Sequence, residues 1–102
     1  METLTTYEAF KEAIYHPFVM IVAKTHTCNT CKMIIPHLKA TIKDFDNLKK
    51  YQIFVEDIDR FRGEHVVFSV PTVLIFSEGK EMLRESKFIN TNKINRLIDM
   101  AK

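Results

Sequence analysis

Cys28 and Cys31 are the residues whose type and spacing point first to chemistry. They stand three apart in the run Thr25-His26-Thr27-Cys28-Asn29-Thr30-Cys31, and they are the only two cysteines in 102 residues. A thiolate is the nucleophile of disulfide exchange, and a free cysteine with a pKa near ~8.5 is mostly protonated at neutral pH. Where a helix begins, unpaired N–H groups and the positive end of the helix dipole both favour the anion. Cys28 at such a position is read as the accessible, acidic thiol, and Cys31, one turn on, as its more buried partner. An i, i+3 pair can close a small disulfide ring, so Cys31 can attack a mixed disulfide formed at Cys28.

Two other readings stand beside this one. Cysteines three apart could simply fill core positions, since free cysteine is a common buried residue. Cys31 fits that description, whereas Cys28 sits among threonine, histidine and asparagine. The two thiolates could also join His26, or a second chain, in a zinc or iron–sulfur site. Without a second cysteine pair, a complete four-cysteine zinc site cannot form within one chain, and no metal is expected. Two cysteines so close together cannot staple distant elements as secreted disulfide scaffolds do.

The neighbours of the pair have their own possibilities. His26, two residues before Cys28, could stabilise a thiolate when protonated or accept a proton when neutral; otherwise it is a solvated loop histidine. Lys32 could stabilise a nearby thiolate, although lysine at an exposed helix position ordinarily serves solubility. His37 and His65 are read as surface residues. Met20, Met33, Met82 and Met100 are read as core or boundary packing.

The elements that must position the pair follow from periodicity. Thr5-Thr6-Tyr7-Glu8 reads as a capping box with Thr5 as N-cap, opening a helix whose inner face is Tyr7, Phe10 and Ile14. His16-Pro17 ends it, because the residue before proline is pushed out of the helical region. Phe18 to Ala23 is a continuous apolar run, the mark of a strand buried on both faces. Beyond the cysteines, Cys31, Ile34, Ile35, Leu38, Ile42, Phe45 and Leu48 form a helical stripe, with Pro36 expected to kink it. Ile53 to Ile58 reads as a second strand, and Arg60 to Phe68 as a connection holding a short helix. Val70-Pro71-Thr72 leads into a third strand, Val73 to Phe76. Ser77-Glu78-Gly79-Lys80 then reads as a hairpin turn into Glu81 to Phe88. Asn90 or Thr91 caps a last helix, with Ile94, Leu97, Ile98 and Ala101 facing inward. The expected class is α/β, with a central mixed sheet flanked by helices on both faces and residues 1–102 forming a single domain.

Composition narrows the partners. Hydrophobic residues make up 46% of the chain and charged residues 27%, and the net charge is +2, with both signs spread over both halves. No concentrated positive field exists of the kind that phosphate neutralisation demands, so nucleic acid is not an expected partner. The opening Met1-Glu2-Thr3 lacks the basic start and apolar core of a signal peptide. The longest apolar run, Phe18 to Ala23, falls far short of the roughly 20 residues that span a bilayer. A cytoplasmic monomer without membrane contact is expected.

Three features together resemble the thioredoxin family: Cys28-Asn29-Thr30-Cys31-Lys32 with Pro36 five residues after Cys31, Val70-Pro71-Thr72 before a buried strand, and Gly79-Lys80 in the last hairpin. They occur in the family's order and spacing over nearly the whole chain. The resemblance implies a thioredoxin fold in which Val70–Pro71 is a cis peptide facing the cysteines. It also implies that a substrate peptide pairs with that loop beside Thr27, Asn29 and Thr30. The implied activity is thiol–disulfide exchange on protein disulfides with Cys28 attacking and Cys31 resolving. It requires a reducing partner and no cofactor beyond the cysteine pair. Five positions depart from the family pattern: Thr27 replaces a tryptophan, Asn29-Thr30 replaces Gly-Pro, Val22 replaces a buried acid, and Val55 replaces its lysine neighbour. Those departures support an alternative, a thioredoxin-fold adaptor or redox-sensing binding module that uses the same surface.

Overall fold

A computed structural model of the chain describes residues 1–27, 30–65, 67 and 69–101, apart from the side chains of Thr30, Cys31 and Ala101. Val19 to Ala23 has no solvent exposure along its length, as a strand covered on both faces requires. This strand, β2 (Val19–Lys24), pairs in parallel with β3 (Lys49–Phe54) and antiparallel with β4 (Thr72–Ser77). The sheet continues in parallel from β3 to β1 (Glu2–Thr3) and antiparallel from β4 to β5 (Lys80–Ser86). Its strand order is β1-β3-β2-β4-β5.

Alternation along β2 divides the interior in two. Val19, Ile21 and Ala23 face α1 (Tyr7–Ala13) and α3 (Asp59–Glu64), packing with Phe10 and Phe61. Met20 and Val22 face α2 (Ile34–Thr41) and α4 (Thr91–Ala101), packing with Leu38, Ile94 and Ile98. Phe10, Leu38, Phe61 and Ile94 are fully buried, and removing each side chain from water contributes roughly 1.5–3 kcal/mol. The mixed sheet covered on both faces agrees with the expectation from sequence.

Several local expectations are corrected. The N-cap of α1 is Thr6 rather than Thr5; its hydroxyl accepts from the Ala9 N–H at 3.1 Å, so no capping box with Glu8 forms. The cause is β1, which periodicity missed: Glu2 and Thr3 pair with β3 and the Leu4 N–H donates to Gln52, so the chain is released into a helix only at Thr6. The helix after the cysteines ends at Thr41 instead of running to Leu48. Ile42 is extended and Asp44 takes a left-handed φ of 54°, yet Ile42, Phe45 and Leu48 still pack into the α2–α4 core. The second strand is Lys49–Phe54 rather than Ile53 to Ile58, because Val55–Asp57 turns in a 3-10 helix that buries Val55. Asn90 caps α4, accepting from the N–H groups of Asn92 and Lys93. Met20 is buried as expected, but Met33, Met82 and Met100 are largely exposed.

The β4–β5 turn places Glu78 at φ 51° and Gly79 at φ 86°, the pair of positive φ values that joins two twisted strands in a two-residue loop. The end of α1 holds this turn. The Glu78 N–H donates to His16 and the Gly79 N–H to Ile14, and the Tyr15 ring lies where a Cβ on Gly79 would be.

His65 is not the surface residue that sequence suggests. Its ring packs against Phe10, Phe61 and Phe76, with centroids 4.9, 5.3 and 5.9 Å away. Burial pushes its pKa below the ordinary histidine value, with Glu81 and Glu64 opposing. Next to it the Tyr7 hydroxyl donates to Glu64, which also accepts from Arg60 Nε at 3.1 Å. These hydrogen bonds, Tyr7's first, lower the Glu64 carboxyl.

Two predictions follow from this packing. Because the fold favours neutral His65, the unfolded chain takes up its proton first as pH falls from about 6.5, so stability present above that pH is lost below it. The urea midpoint is expected to drop between about pH 7.5 and pH 5.5, and His65→Leu to flatten that drop; parallel drops in both proteins would refute the assignment. Gly79→Ala places a Cβ 2.7 Å from Tyr15 in a left-handed backbone, and thermal unfolding is expected to show a loss of about 1–3 kcal/mol.

Candidate active site

β2 leaves the core at Lys24, and the residues after it are held by the end of β3. The His26 N–H donates to both carboxylate oxygens of Glu56, at 3.1 and 3.2 Å. His26 Nε2 lies 2.9 Å from Asp57 Oδ2. The imidazole stacks on Phe54 with centroids 3.9 Å apart and planes 12° from parallel. Lys24 faces Phe54 in the strand register, with its Nζ 5.2 Å from the ring centroid. His26 is therefore a loop histidine with partners, its side chain still 51% exposed. Sequence reasoning passed over its three partners, whose one visible signal is the acidic pair Glu56-Asp57 directly after a strand.

Of the residues expected around the pair, Thr27 and Lys32 are exposed, while Cys28 and Asn29 lie outside the described residues. Thr30 and Cys31 open a 3-10 turn, Thr30–Met33, which passes into α2 at Ile34. Pro36 is the third residue of α2, in the first turn, where an N–H has no partner within the helix. Pro36 therefore interrupts no helical hydrogen bond, because the α-helix begins only at Ile34 and not at the cysteines as the stripe suggested. Behind the turn, Val22 belongs to the α2–α4 core and Val55 to the α1–α3 core, both buried.

On the other side of β2 the Val70–Pro71 peptide is cis, as the resemblance implied. The start of β4 and the end of β5 anchor this loop. Buried Thr72 donates its hydroxyl to Ser69 O at 2.6 Å and lies 3.0 Å from Ser86 Oγ. The Lys87 N–H donates to Pro71 O at 3.1 Å, with Lys87 at a left-handed φ of 63°.

Three chain segments meet in an open groove of about 510 Å³. Met33, Ile34 and His37 line it from the start of α2, Val70 and Pro71 from the loop, and Lys87, Phe88 and Ile89 from the end of β5. Its rim is apolar and accessible: Met33 is 67% exposed and Phe88 92%. Met33 stands two residues beyond Cys31, so the turn containing Cys31 leads directly into the wall that Val70 and Pro71 complete. The roles of Met33, His37 and Phe88 in this groove carry no signature in sequence spacing. Among the described residues no group of three or more His, Cys, Asp or Glu side chains is placed to hold a metal ion, and no helix is long and apolar enough to cross a membrane.

Comparison with known proteins agrees with this geometry. A family model described as Thioredoxin matches residues 2–102. The thioredoxin-like protein YdfQ of Bacillus subtilis (strain 168) is 31% identical over 81 residues, which cover 79% of this chain and 72% of that protein. The thioredoxin of Chlamydia trachomatis is 26% identical over 96% of each chain. Among solved structures, the thioredoxin of Malassezia sympodialis superposes with a TM-score of 0.81 at 20% identity, covering 99% of this chain and 90% of that one. The thioredoxin of Plasmodium falciparum superposes with a TM-score of 0.81 at 18% identity over 98% of each. The fold is the thioredoxin fold, and the chain belongs to the thioredoxin family. That membership supports thiol–disulfide oxidoreductase chemistry in general.

The polar ties of the loop can be tested separately from chemistry. Thr72→Val removes the donor to Ser69 and the contact with Ser86 while keeping the side-chain shape. Urea unfolding is expected to show a loss of about 1 kcal/mol. An unchanged midpoint would mean that the loop is held from elsewhere.

Proposed function

We propose that the protein is a thiol–disulfide oxidoreductase that cycles Cys28 and Cys31 between dithiol and disulfide in exchange with protein disulfides. Cys28 attacks a substrate disulfide to give a mixed disulfide. Cys31 then attacks Cys28, releasing the second substrate sulfur and leaving the pair oxidised. A reducing partner restores the dithiol, and no cofactor beyond the cysteines takes part. Residues 1–102 act as one domain and as a monomer. A reducing compartment such as the cytoplasm is the setting in which the reduced pair would persist. The substrate peptide lies against Val70 and Pro71 and touches Thr27, Asn29 and Thr30, with Lys32 adding positive charge at the start of the helix.

The observation that carries this reading is the groove: Met33, two residues beyond Cys31, lines the same open depression as Val70 and Pro71. An extended peptide placed there has apolar walls from Met33 and Phe88 on either side of the loop. A second reading, an adaptor that binds partners through this groove without exchanging electrons, is favoured by one specific feature. Buried Val22 and Val55 stand where the family carries an acid and a lysine, so no ionisable side chain is present at those two positions to handle the proton of a buried thiol.

Insulin reduction in the presence of dithiothreitol separates the two. The wild type is expected to accelerate the reaction above background and Cys28→Ser to abolish the acceleration. Equal background rates for both would discard the oxidoreductase reading in favour of the adaptor.

A further inference from the structure

The groove between α2, the Val70–Pro71 loop and the end of β5 carries charge of one sign. The ionisable residues that line it are His37 and Lys87, both basic, and Lys32 is exposed next to Met33. The chain segments that meet there continue the pattern: residues 30–43, 65–77 and 86–98 hold no aspartate or glutamate, although the chain has 13. The acid nearest the groove along β5, Glu85, already has partners. It accepts from the Asn90 N–H at 3.1 Å and lies 3.8 Å from Lys93 Nζ. Glu56 and Asp57 are engaged with His26 at the end of β3, across β2 from β4 and β5. In contrast, the Lys87 ammonium and the His37 ring have no hydrogen bond or ion pair among the described residues. Lys87 also stands at a left-handed φ of 63°, where glycine or asparagine is usual, so lysine is kept there against a backbone penalty.

We propose that this groove selects acidic–apolar peptide segments: extended stretches of a protein partner in which a cysteine has an apolar and an acidic residue within two positions of it. This rests on the oxidoreductase reading above and names the substrate class of that site. Each wall pairs an apolar side chain with a cation. His37 stands four residues beyond Met33 on the α2 side, and Lys87 precedes Phe88 on the β5 side. Met33 and Phe88 are large apolar groups left mostly in water, as surfaces that receive a partner are. In an extended peptide, alternate side chains share one face about 7 Å apart, so one can pack on an apolar wall while the other meets its cation. A phosphate backbone does not fit such a surface, since it demands a run of cations rather than a few beside apolar walls. Single carboxylates do fit. Because the cations are exposed, their attraction acts on encounter and is screened by salt.

The test uses three synthetic peptides with the same neutral flanks around Leu-Glu-Cys, Leu-Gln-Cys or Leu-Lys-Cys. With the peptide cysteine S-methylated, NMR titration of the full chain carrying Cys28→Ser and Cys31→Ser reads binding without exchange. The Glu peptide is expected to bind roughly fivefold more tightly than the Lys peptide at low ionic strength, with the Gln peptide between them and the gap closing at high salt. Lys87→Gln together with His37→Gln is expected to abolish the preference. Lys80→Gln, which removes the same charge from the other end of β5, is expected to keep it. Equal binding of the Glu and Lys peptides, no binding of either, or a preference that survives the loss of Lys87 and His37 overturns the proposal. Turnover of the same peptides as disulfide-linked dimers by the wild type separates the two readings. Turnover above background with no order in binding removes the preference alone. Background turnover with ordered binding removes the oxidoreductase reading and leaves the preference as that of a binding surface.

Discussion

The burial of β2 on both faces and along both edges is the constraint on which the rest of the structure depends. A strand hydrogen-bonded to β3 on one side and β4 on the other, with no exposed side chain from Val19 to Ala23, leaves no room for a polar group without a partner. The chain therefore reaches water only at Lys24, and the residues that could do chemistry come immediately after. Parallel β3 ends at the same edge as β2, and antiparallel β4 begins there. Strand direction alone thus brings together the β2–α2 loop, the Phe54 to Asp57 turn and the Val70–Pro71 loop.

Around that edge the structure changes from apolar packing to polar ties. The interior is two clusters of aliphatic and aromatic side chains separated by the sheet. Most of the loops at the rim are held by hydrogen bonds: Glu56 and Asp57 on His26, Thr72 on Ser69 and Ser86, Lys87 on Pro71. Among the described residues no buried side-chain nitrogen or oxygen lacks a partner. This division suits a site that must expose a groove and yet hold its walls. Dispersion and burial set where the strands lie, and directional bonds set how the loops leave them.

The parts of the fold legible in sequence were those where one physical demand acts alone. β2 and β4 are buried on both faces and read as unbroken apolar runs. The Glu78-Gly79 turn reads from glycine's tolerance of positive φ. β3 failed because it is only partly buried: Lys49 and Lys50 lie on it while the apolar Val55 and Ile58 lie beyond its end, so hydropathy moved the strand toward them. The stripe through Ile42, Phe45 and Leu48 has helical spacing and joins one core, yet the helix has already ended at Thr41, with Ile42 extended and Asp44 left-handed. Spacing reports which residues are buried together, and an irregular chain can satisfy the same burial. His65 reads as a surface residue in sequence because its aromatic neighbours Tyr7, Phe10, Phe61 and Phe76 come from α1, α3 and β4, which no local window joins.

By itself the sequence determined which residues are the candidates for chemistry, because two cysteines three apart between an apolar run and a helical stripe, with Val70-Pro71 downstream, are covalent facts that need no coordinates. It determined the α/β class for a related reason, since the alternation of buried strands and amphipathic helices is written in periods of two and 3.6. The tertiary structure decided what stands around that site. The pairing of His26 with Asp57, its stacking on Phe54 and the meeting of Met33 with Pro71 and Phe88 join residues separated by tens of positions. Such contacts depend on strand order and direction, and these are set by the packing of the whole chain.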